Sequence, residues 1–274
     1  MSKIMPSKNE LFRTKNDTPV WVSGIGRTVI FVHGVLVDHR MWDQQVNALS
    51  SLYRICCMEM FGHGKAPDPP GNRNLSDFVS QISEVVDQFS DKGPPILCGY
   101  SMGGLVSQAY AIEHHIELSG LILMSTVHDR SVEESKTVIE RYETNISYGV
   151  DNAIMSASKR WLKKKDYRTH AADIEKTLGL MRDGNFVSKC KAHRVFATSD
   201  GEVTGKLGNI SCPTLILTGQ EDTGSTPEMA KKMAKAIQNS ELHIFDGQHH
   251  LLPVLDAARI NGALLRFLKK CWNS

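Results

Sequence analysis

The sequence is short of several features that would assign it to a specialised class of protein. No apolar run approaches the roughly 20 residues of a membrane-spanning helix. The net charge is only +2, from 32 basic and 30 acidic residues, which leaves no basic excess typical of nucleic-acid binding. The six cysteines form no C-x-x-C pair, and the histidines show no metal-ligand spacing. We therefore expect no nucleic-acid or membrane partner, no metal and no cofactor.

The composition is that of a globular protein in a reducing compartment. Hydrophobic residues make up 41% and charged residues 23% of the 274 residues, enough for a large core. The first eight residues lack the apolar core of a secretory signal, and three cysteines, Cys56, Cys57 and Cys98, fall in apolar strand patterns. These features predict a cytoplasmic location and leave the oligomeric state open.

A strand, a sharp turn and a helix follow one another around residue 101. The apolar run 96–98 leads into Gly99-Tyr-Ser-Met-Gly103, and apolar residues at helical spacing come next. This is the G-x-S-x-G nucleophile elbow, in which glycines let strand and helix pass closely while the turn exposes the serine. The pattern predicts that Ser101 is a nucleophile, and an ordinary glycine-rich turn is the alternative.

Elsewhere, strands alternating with helices predict a mainly parallel sheet with helices on both faces. A hairpin is expected over residues 10–24, and a helix with Ser76 as its N-cap is expected to run to Phe89. Strands are predicted at 28–33, 53–60, 96–98, 121–126, 214–218 and 242–245, and the first is a continuous apolar run, typical of a buried parallel strand. Ligands in such sheets bind at the carboxyl ends of strands.

The alternation is interrupted between residues 127 and 206. This charged segment contains no buried strand pattern, and helices are expected near 132–147, 151–163 and 170–182. It predicts an inserted helical cap. The chain then divides into a first core part (1–126), the cap (127–206) and a second core part (207–274).

Two further strand ends supply the groups that a serine nucleophile needs. Asp222 lies in the loop after residues 214–218, and His250 lies in the loop after the last strand. The order nucleophile, acid, base is that of α/β-hydrolases, where the base activates the serine and the acid orients the base. Three side chains are alternatives to the acid or the base: Glu221, Asp129 and His249.

An oxyanion hole requires two amide donors aimed at the developing negative charge. We expect them from Met102, which follows the nucleophile, and from Val35 in the turn His33-Gly34-Val35. His33 is expected to order this turn rather than to carry a proton.

Several of these segments resemble the α/β-hydrolase superfamily: Gly99–Gly104, His33-Gly34 with residues 38–43, and Gly62-His-Gly64. Residues 212–219, 221–229 and 247–254 are similar to the 3-oxoadipate enol-lactonase-like branch, and Arg160-Trp161 in the cap resembles it too. The resemblance covers roughly residues 18–270. It implies the α/β-hydrolase fold, a mostly parallel eight-stranded sheet with helices on both faces and an inserted helical cap. Glu59, where many relatives have aspartate, and the lysine-rich cap depart from the pattern.

Together these features predict a serine hydrolase that cleaves a small carboxylic ester or lactone, as an enol-lactonase does, through an acyl-enzyme formed on Ser101. C–C bond hydrolysis or perhydrolysis by the same residues is one alternative, and a small-molecule receptor or scaffold with little turnover is another. The expected partner is the small substrate alone.

Two features of the cap bear on that substrate. The resemblance places Trp161 in the pocket wall, where it binds substrate, with cap core as the alternative. Lys163-Lys164-Lys165 is typical of a solvated helix face, and attraction of a substrate carboxylate is the alternative. Because a helical cap encloses the cleft, we expect a small lactone or short ester rather than a long-chain lipid. The resemblance to enol-lactonases favours a lactone that bears a carboxylate.

Overall fold

The computed structural model describes residues 9–272. One eight-stranded sheet, in the order β1-β2-β4-β3-β5-β6-β7-β8, forms its centre. The strands are β1 (Glu10–Arg13), β2 (Pro19–Ser23), β3 (Thr28–Val32), β4 (Arg54–Met58), β5 (Ile96–Tyr100), β6 (Gly120–Met124), β7 (Thr214–Gly219) and β8 (Ser240–Phe245). The hairpin β1–β2 joins β4 antiparallel, and β3 to β8 run parallel. The predicted fold class is confirmed.

Ten helices surround or cap this sheet within the described part of the chain, and none of the ten has the length and apolar character needed to cross a membrane. They are α1 (Asp43–Leu49), α2 (Leu75–Phe89), α3 (Met102–His114), α4 (Val132–Trp161), α5 (Asp166–Thr169), α6 (Ala171–Arg182), α7 (Phe186–Thr198), α8 (Pro227–Ala236), α9 (Leu252–Leu255) and α10 (Ala257–Trp272). Helices α1 and α10 pack together on one face, and α2, α3 and α8 cover the other.

The central strands are buried because parallel strands have helices on both sides. Every residue of β3, β5, β6 and β7 is buried. The strand β5 lies between β3 and β6, so that its carboxyl end, where Ser101 begins the next turn, lies near the middle of the sheet edge.

The start of α2 corrects one prediction. The N-cap is Asn74 and not Ser76: the Asn74 side chain accepts the Asp77 N–H at 3.0 Å, and the Asp77 carboxylate accepts the Asn74 N–H at 2.8 Å. Ser76 instead donates its hydroxyl to the Asn74 side chain at 2.8 Å. The reciprocal capping box satisfies two otherwise unpaired amides, which a cap at Ser76 would leave open.

Helices α4 to α7 form the cap between β6 and β7. Gly149, with φ of 80°, divides α4 into two halves that correspond to the two helices expected there. The sequence did not predict α7. The ends of the cap are joined by a buried ion pair, in which Arg130 donates to Asp200 at 2.9 Å. The two ends of the cap are therefore held together where the cap joins the sheet.

Candidate active site

Ser101 occupies a strained turn between β5 and α3. Its backbone has φ of 53° and ψ of −115°, outside the regions that an L-residue prefers. Such strain persists only where the surroundings fix it. The Ser101 N–H donates to the Met124 carbonyl at 2.9 Å, and the Thr126 hydroxyl donates to the Ser101 carbonyl at 2.7 Å. The neighbouring strand thus holds the turn from both sides.

Gly103 permits the close crossing of α3 over β3. A Cβ atom at this position would collide with the backbone carbonyl oxygens of Val32 and His33. Because these oxygens belong to the backbone, they cannot move aside as the end of a side chain could. Glycine at this position therefore lets the helix start directly beneath the serine, with its first amides near the serine hydroxyl.

Ser101, His250 and Asp222 form a continuous hydrogen-bonded row. The distance from Ser101 Oγ to His250 Nε2 is 3.1 Å, and from His250 Nδ1 to Asp222 Oδ2 it is 2.7 Å. The other Asp222 oxygen accepts the N–H groups of Gly224 and Ser225, each at 2.9 Å. Because the carboxylate can only accept, Nδ1 carries the proton, and Nε2 is left free to accept the serine proton.

The three alternative residues lie outside this row. Asp129 is half exposed and accepts from Lys232 at 2.7 Å, which lowers the pKa of the carboxyl. Glu221 forms an ion pair with Lys163 of the cap. His249 Nε2 lies 3.7 Å from a Glu221 oxygen. The same ion pair accounts for one lysine of the basic cap stretch, which binds a core loop instead of projecting into solvent.

The expected oxyanion donors flank Ser101. Met102 is the first residue of α3, so its N–H has no acceptor within the helix. Val35 is buried and lines the same cavity as Ser101. The two residues therefore remain the expected donors, one from the elbow and one from the turn after β3.

Two buried histidines order the turn that carries Val35. His63 Nε2 accepts the Leu36 N–H at 3.1 Å, and His33 Nε2 accepts the Met60 N–H at 3.1 Å. Desolvation lowers the pKa of both rings, so they are neutral at pH 7. The structure thus places His33 as a structural ring, away from the hydrogen-bonded row.

A buried lysine of the cap reaches the same turn. Lys189 on α7 donates to the Leu180 carbonyl at 2.7 Å and to the Leu36 carbonyl at 3.3 Å. Burial lowers its pKa to about 8. The contact connects the cap directly to the residue that follows Val35.

The cavity above Ser101 is small and closed by the cap. Its volume is about 30 Å³, room for two or three water molecules at roughly 10–15 Å³ each. Trp161 lines it and stacks on the His250 ring, with centroids 5.4 Å apart and planes at 28°. Tyr100 contacts the same ring, with centroids 5.2 Å apart. Two aromatic rings therefore contact the histidine.

Two titratable cap residues in the cavity wall, Arg141 and His193, were not recognised from the sequence as part of a site, and Arg160 was given no individual role there. Desolvation lowers the pKa of Arg141 to about 9 and that of His193 to about 3, and the neighbouring arginine charges add to both shifts. Burial also lowers the pKa of Arg160, against the opposing attraction of Asp222. The periodicity of a charged helix carries no signal that separates such residues from solvated ones.

One cluster has the residue types of a metal site. Ligand atoms of Asp38, His39 and Glu59 lie within 4.8 Å of one another. Protein groups already satisfy them: Arg40 donates to both Asp38 oxygens, and Glu59 binds His39 and the N–H of Lys65. We assign no metal to this cluster.

Comparison with known proteins identifies a family and several hydrolases that are similar to this chain. Residues 25–254 match the family model for serine aminopeptidase, S33. The (E)-2-((N-methylformamido)methylene)succinate hydrolase of Acinetobacter baylyi is 25% identical over 246 residues, 90% of this chain and 92% of that protein. The 3-oxoadipate enol-lactonase 1 of the same organism is 28% identical and covers 81% of each chain.

Solved structures resemble the whole chain. A thermophilic esterase from Thermogutta terrifontis, with malate bound, has a TM-score of 0.83 at 26% identity and covers 97% of this chain and 99% of its own. The enol-lactonase from Burkholderia xenovorans has a TM-score of 0.83 at 19% identity, covers 95% of this chain and 100% of its own, and shows the shared fold.

Proposed function

The chain belongs to the serine aminopeptidase S33 family of α/β-hydrolases, and we propose that it is a serine hydrolase that cleaves a small carboxylic ester or lactone through an acyl-enzyme. The row Ser101–His250–Asp222, with distances of 3.1 and 2.7 Å at the carboxyl ends of three parallel strands, carries the proposal. One relative's name specifies an enol-lactone, which supports an ester or lactone substrate.

The proposed reaction follows from the position of each group. The Ser101 oxygen attacks the substrate carbonyl while His250 Nε2 takes its proton, and the amides of Val35 and Met102 stabilise the oxyanion. The C–O bond to the leaving group then breaks, and His250 returns the proton to the departing alcohol. A water molecule, activated by His250, hydrolyses the acyl-enzyme and restores the serine. Asp222 holds Nδ1–H and stabilises the imidazolium throughout.

The charge of the cavity favours this reaction over removal of an amino-terminal residue. Proline iminopeptidases are also among the relatives, at 27% identity. An aminopeptidase must hold a cationic α-amino group, which requires carboxylates in the wall. Among the described residues, those lining the cavity above Ser101 include Arg141 and Arg160 but no aspartate or glutamate. A cationic substrate would therefore be repelled.

The test is multiple turnover of short esters and small lactones by the wild type and Ser101→Ala. We expect steady-state hydrolysis by the wild type and a loss of about 10⁴- to 10⁶-fold in the variant, with an unchanged melting temperature. Residual activity within tenfold of the wild type would remove Ser101 from the mechanism. A stoichiometric burst without a steady state would instead favour a receptor.

A long-chain ester tests substrate size in the same assay. Because the enclosed cavity holds only about 30 Å³, we expect short substrates to have the higher kcat/KM. A preference for the long chain would reject a small substrate.

A further inference from the structure

The enclosed cavity shares part of its wall with a cleft at the surface. On the far side of its wall an outer cleft of about 400 Å³ lies between the two halves of α4, lined by Thr137 and Thr144 on one half and by Met155 and Lys159 on the other. Three residues line both spaces: Arg141, Asn145 and Arg160. These residues form the partition between solvent and the cavity over Ser101.

The inner cavity is too small to hold a whole substrate. About 30 Å³ accommodates little more than the reacting group, whereas the outer cleft is more than ten times larger. A bound ester would therefore extend from Ser101 through the partition into the outer cleft. Whatever group of the substrate lies at the partition will contact the two arginines.

Both arginines lack a carboxylate partner. Among residues 9–272, no acidic side chain forms an ion pair with Arg141 or Arg160, and Arg160 Nε is buried without a hydrogen-bond partner. Glu133 and Glu134 line a cleft on the other side of Arg141, but Glu134 caps the start of α4 by accepting the Ser131 N–H at 2.7 Å. Burying guanidinium groups without partners is costly, so such groups are normally paired.

The charge of Asp222 acts on Arg160, and its attraction opposes the desolvation of that arginine. Its oxygens are already engaged by His250, Gly224 and Ser225. It therefore reduces the cost of the buried charge without satisfying its N–H groups.

Other unpaired polar groups face the same space. Trp161 Nε1 and His193 Nδ1 are buried without hydrogen-bond partners among the described residues, and both side chains line the inner cavity. The indole N–H can only donate. Neither space has an aspartate or glutamate in its described lining, and Lys159 adds a further positive charge to the outer cleft. The site is thus rich in donors and positive charge, and lacks an anion.

We infer that Arg141 and Arg160 form a carboxylate-binding gate between the outer cleft and the inner cavity, and that the substrate carries a carboxylate which stays at this gate while its ester or lactone carbonyl reaches Ser101. The inference rests on the proposed function, and it adds the route of entry and the group recognised. A planar guanidinium binds a carboxylate through paired N–H donors, which fixes the orientation of the attached chain.

The experiment compares monomethyl esters of succinic, glutaric and adipic acid with the matching dimethyl esters, by methanol release. The members of each pair differ in one negative charge. We expect the wild type to prefer the best monoester in kcat/KM by about tenfold or more, since a charged hydrogen bond contributes that much. Equal rates, or a preference for the diester, would overturn the gate while leaving the hydrolase intact.

Variants then locate the charge. Arg141→Gln should reduce the ratio of monoester to diester kcat/KM to near one, Arg141→Lys should keep part of it, and the exposed Lys164→Gln, which also removes one cap charge, should preserve it. An equal loss in Lys164→Gln and Arg141→Gln would show a general field effect and overturn the assignment. Urea unfolding of each variant establishes that it is folded.

Binding to Ser101→Ala separates this inference from the proposed function. Calorimetric titration with the preferred monoester should show binding that disappears when Arg141→Gln is added. Such binding without any turnover in the wild type would retain the gate and reject the hydrolase. Absence of binding in Ser101→Ala, or binding indifferent to Arg141, would reject the gate.

Discussion

At the scale of single residues, hydrogen bonding distinguishes His250, the proposed base, from its neighbour His249. His250 is 5% exposed, hydrogen-bonded on both nitrogens and in contact with two aromatic rings, whereas neither nitrogen of His249 has a hydrogen-bond partner among the described residues. His250→Ala should lower kcat by about 10⁴-fold or more, because the serine loses its base. His249→Ala should cost less than tenfold. Steady-state kinetics on one short ester measures both, and reversed phenotypes would shift the assignment by one residue.

The acid gives a second matched pair. Asp222→Asn keeps the shape of the side chain but replaces an acceptor that fixes the His250 proton on Nδ1, so kcat should fall by about 10⁴-fold. Asp129→Asn breaks only a half-exposed contact with Lys232 and should leave kcat within threefold. Kinetics of the two variants at pH 7 separates them. A larger loss in Asp129→Asn would move the acid to the end of β6.

Residue types at strand ends made the hydrogen-bonded row predictable, because parallel strands bring their carboxyl ends to one edge. The partition was not predictable. Arg141 and Arg160 lie in a charged helical segment whose spacing is the same whether a side chain faces solvent or a cavity. Only the three-dimensional contact of the two halves of α4 distinguishes these cases.

At the scale of elements, glycine has opposite effects in two helices. Gly103→Ala should destabilise the fold by about 2 kcal/mol or more, because its methyl group would meet two backbone carbonyls. Gly179→Ala on α6 meets no atom within 4 Å and should stabilise the fold by about 0.5–1 kcal/mol. Urea unfolding measures both free energies. Equal effects would mean that helix propensity, and not the crossing of α3 over β3, governs Gly103.

The strands were predictable and helix α7 was not, and the pattern of burial explains both results. The six predicted strands all form near their expected bounds, and the four central ones, β3, β5, β6 and β7, are buried at every residue. Helix α7 was missed because three of its buried positions hold polar residues, Ser188, Lys189 and His193. Polar residues at buried positions interrupt the apolar stripe of an amphipathic helix, which is the pattern that predicts a helix from sequence.

At the scale of the whole molecule, the buried cations of the cap make stability depend on pH. His193 is 3% exposed with a pKa of about 3, lowered from 6.5 by desolvation and by the arginine charges. Between pH 6.5 and 3 the unfolded chain binds a proton that the folded chain does not. The free energy of unfolding should therefore fall with falling pH by up to about 1.4 kcal/mol per unit from this group.

His193→Gln removes that proton. Its free energy of unfolding, measured in urea from pH 7 to pH 4, should decline less steeply than that of the wild type, whatever its value at pH 7. Parallel slopes would mean that His193 is protonated in the fold or that other groups dominate acid unfolding.

The insertion of the cap between β6 and β7 also delays the pairing of these two strands during synthesis. These neighbours pair in parallel, yet about ninety residues separate Met124 from Thr214. A ribosome adding roughly 5–20 residues per second takes about 5–20 seconds to make that interval. During it the completed β6 presents an unpaired apolar edge, the kind of surface that promotes aggregation. Nascent chains halted inside the cap should therefore recruit chaperones more strongly than chains extended past Gly219 and out of the exit tunnel, and equal recruitment would show that the cap helices shield the edge as they emerge.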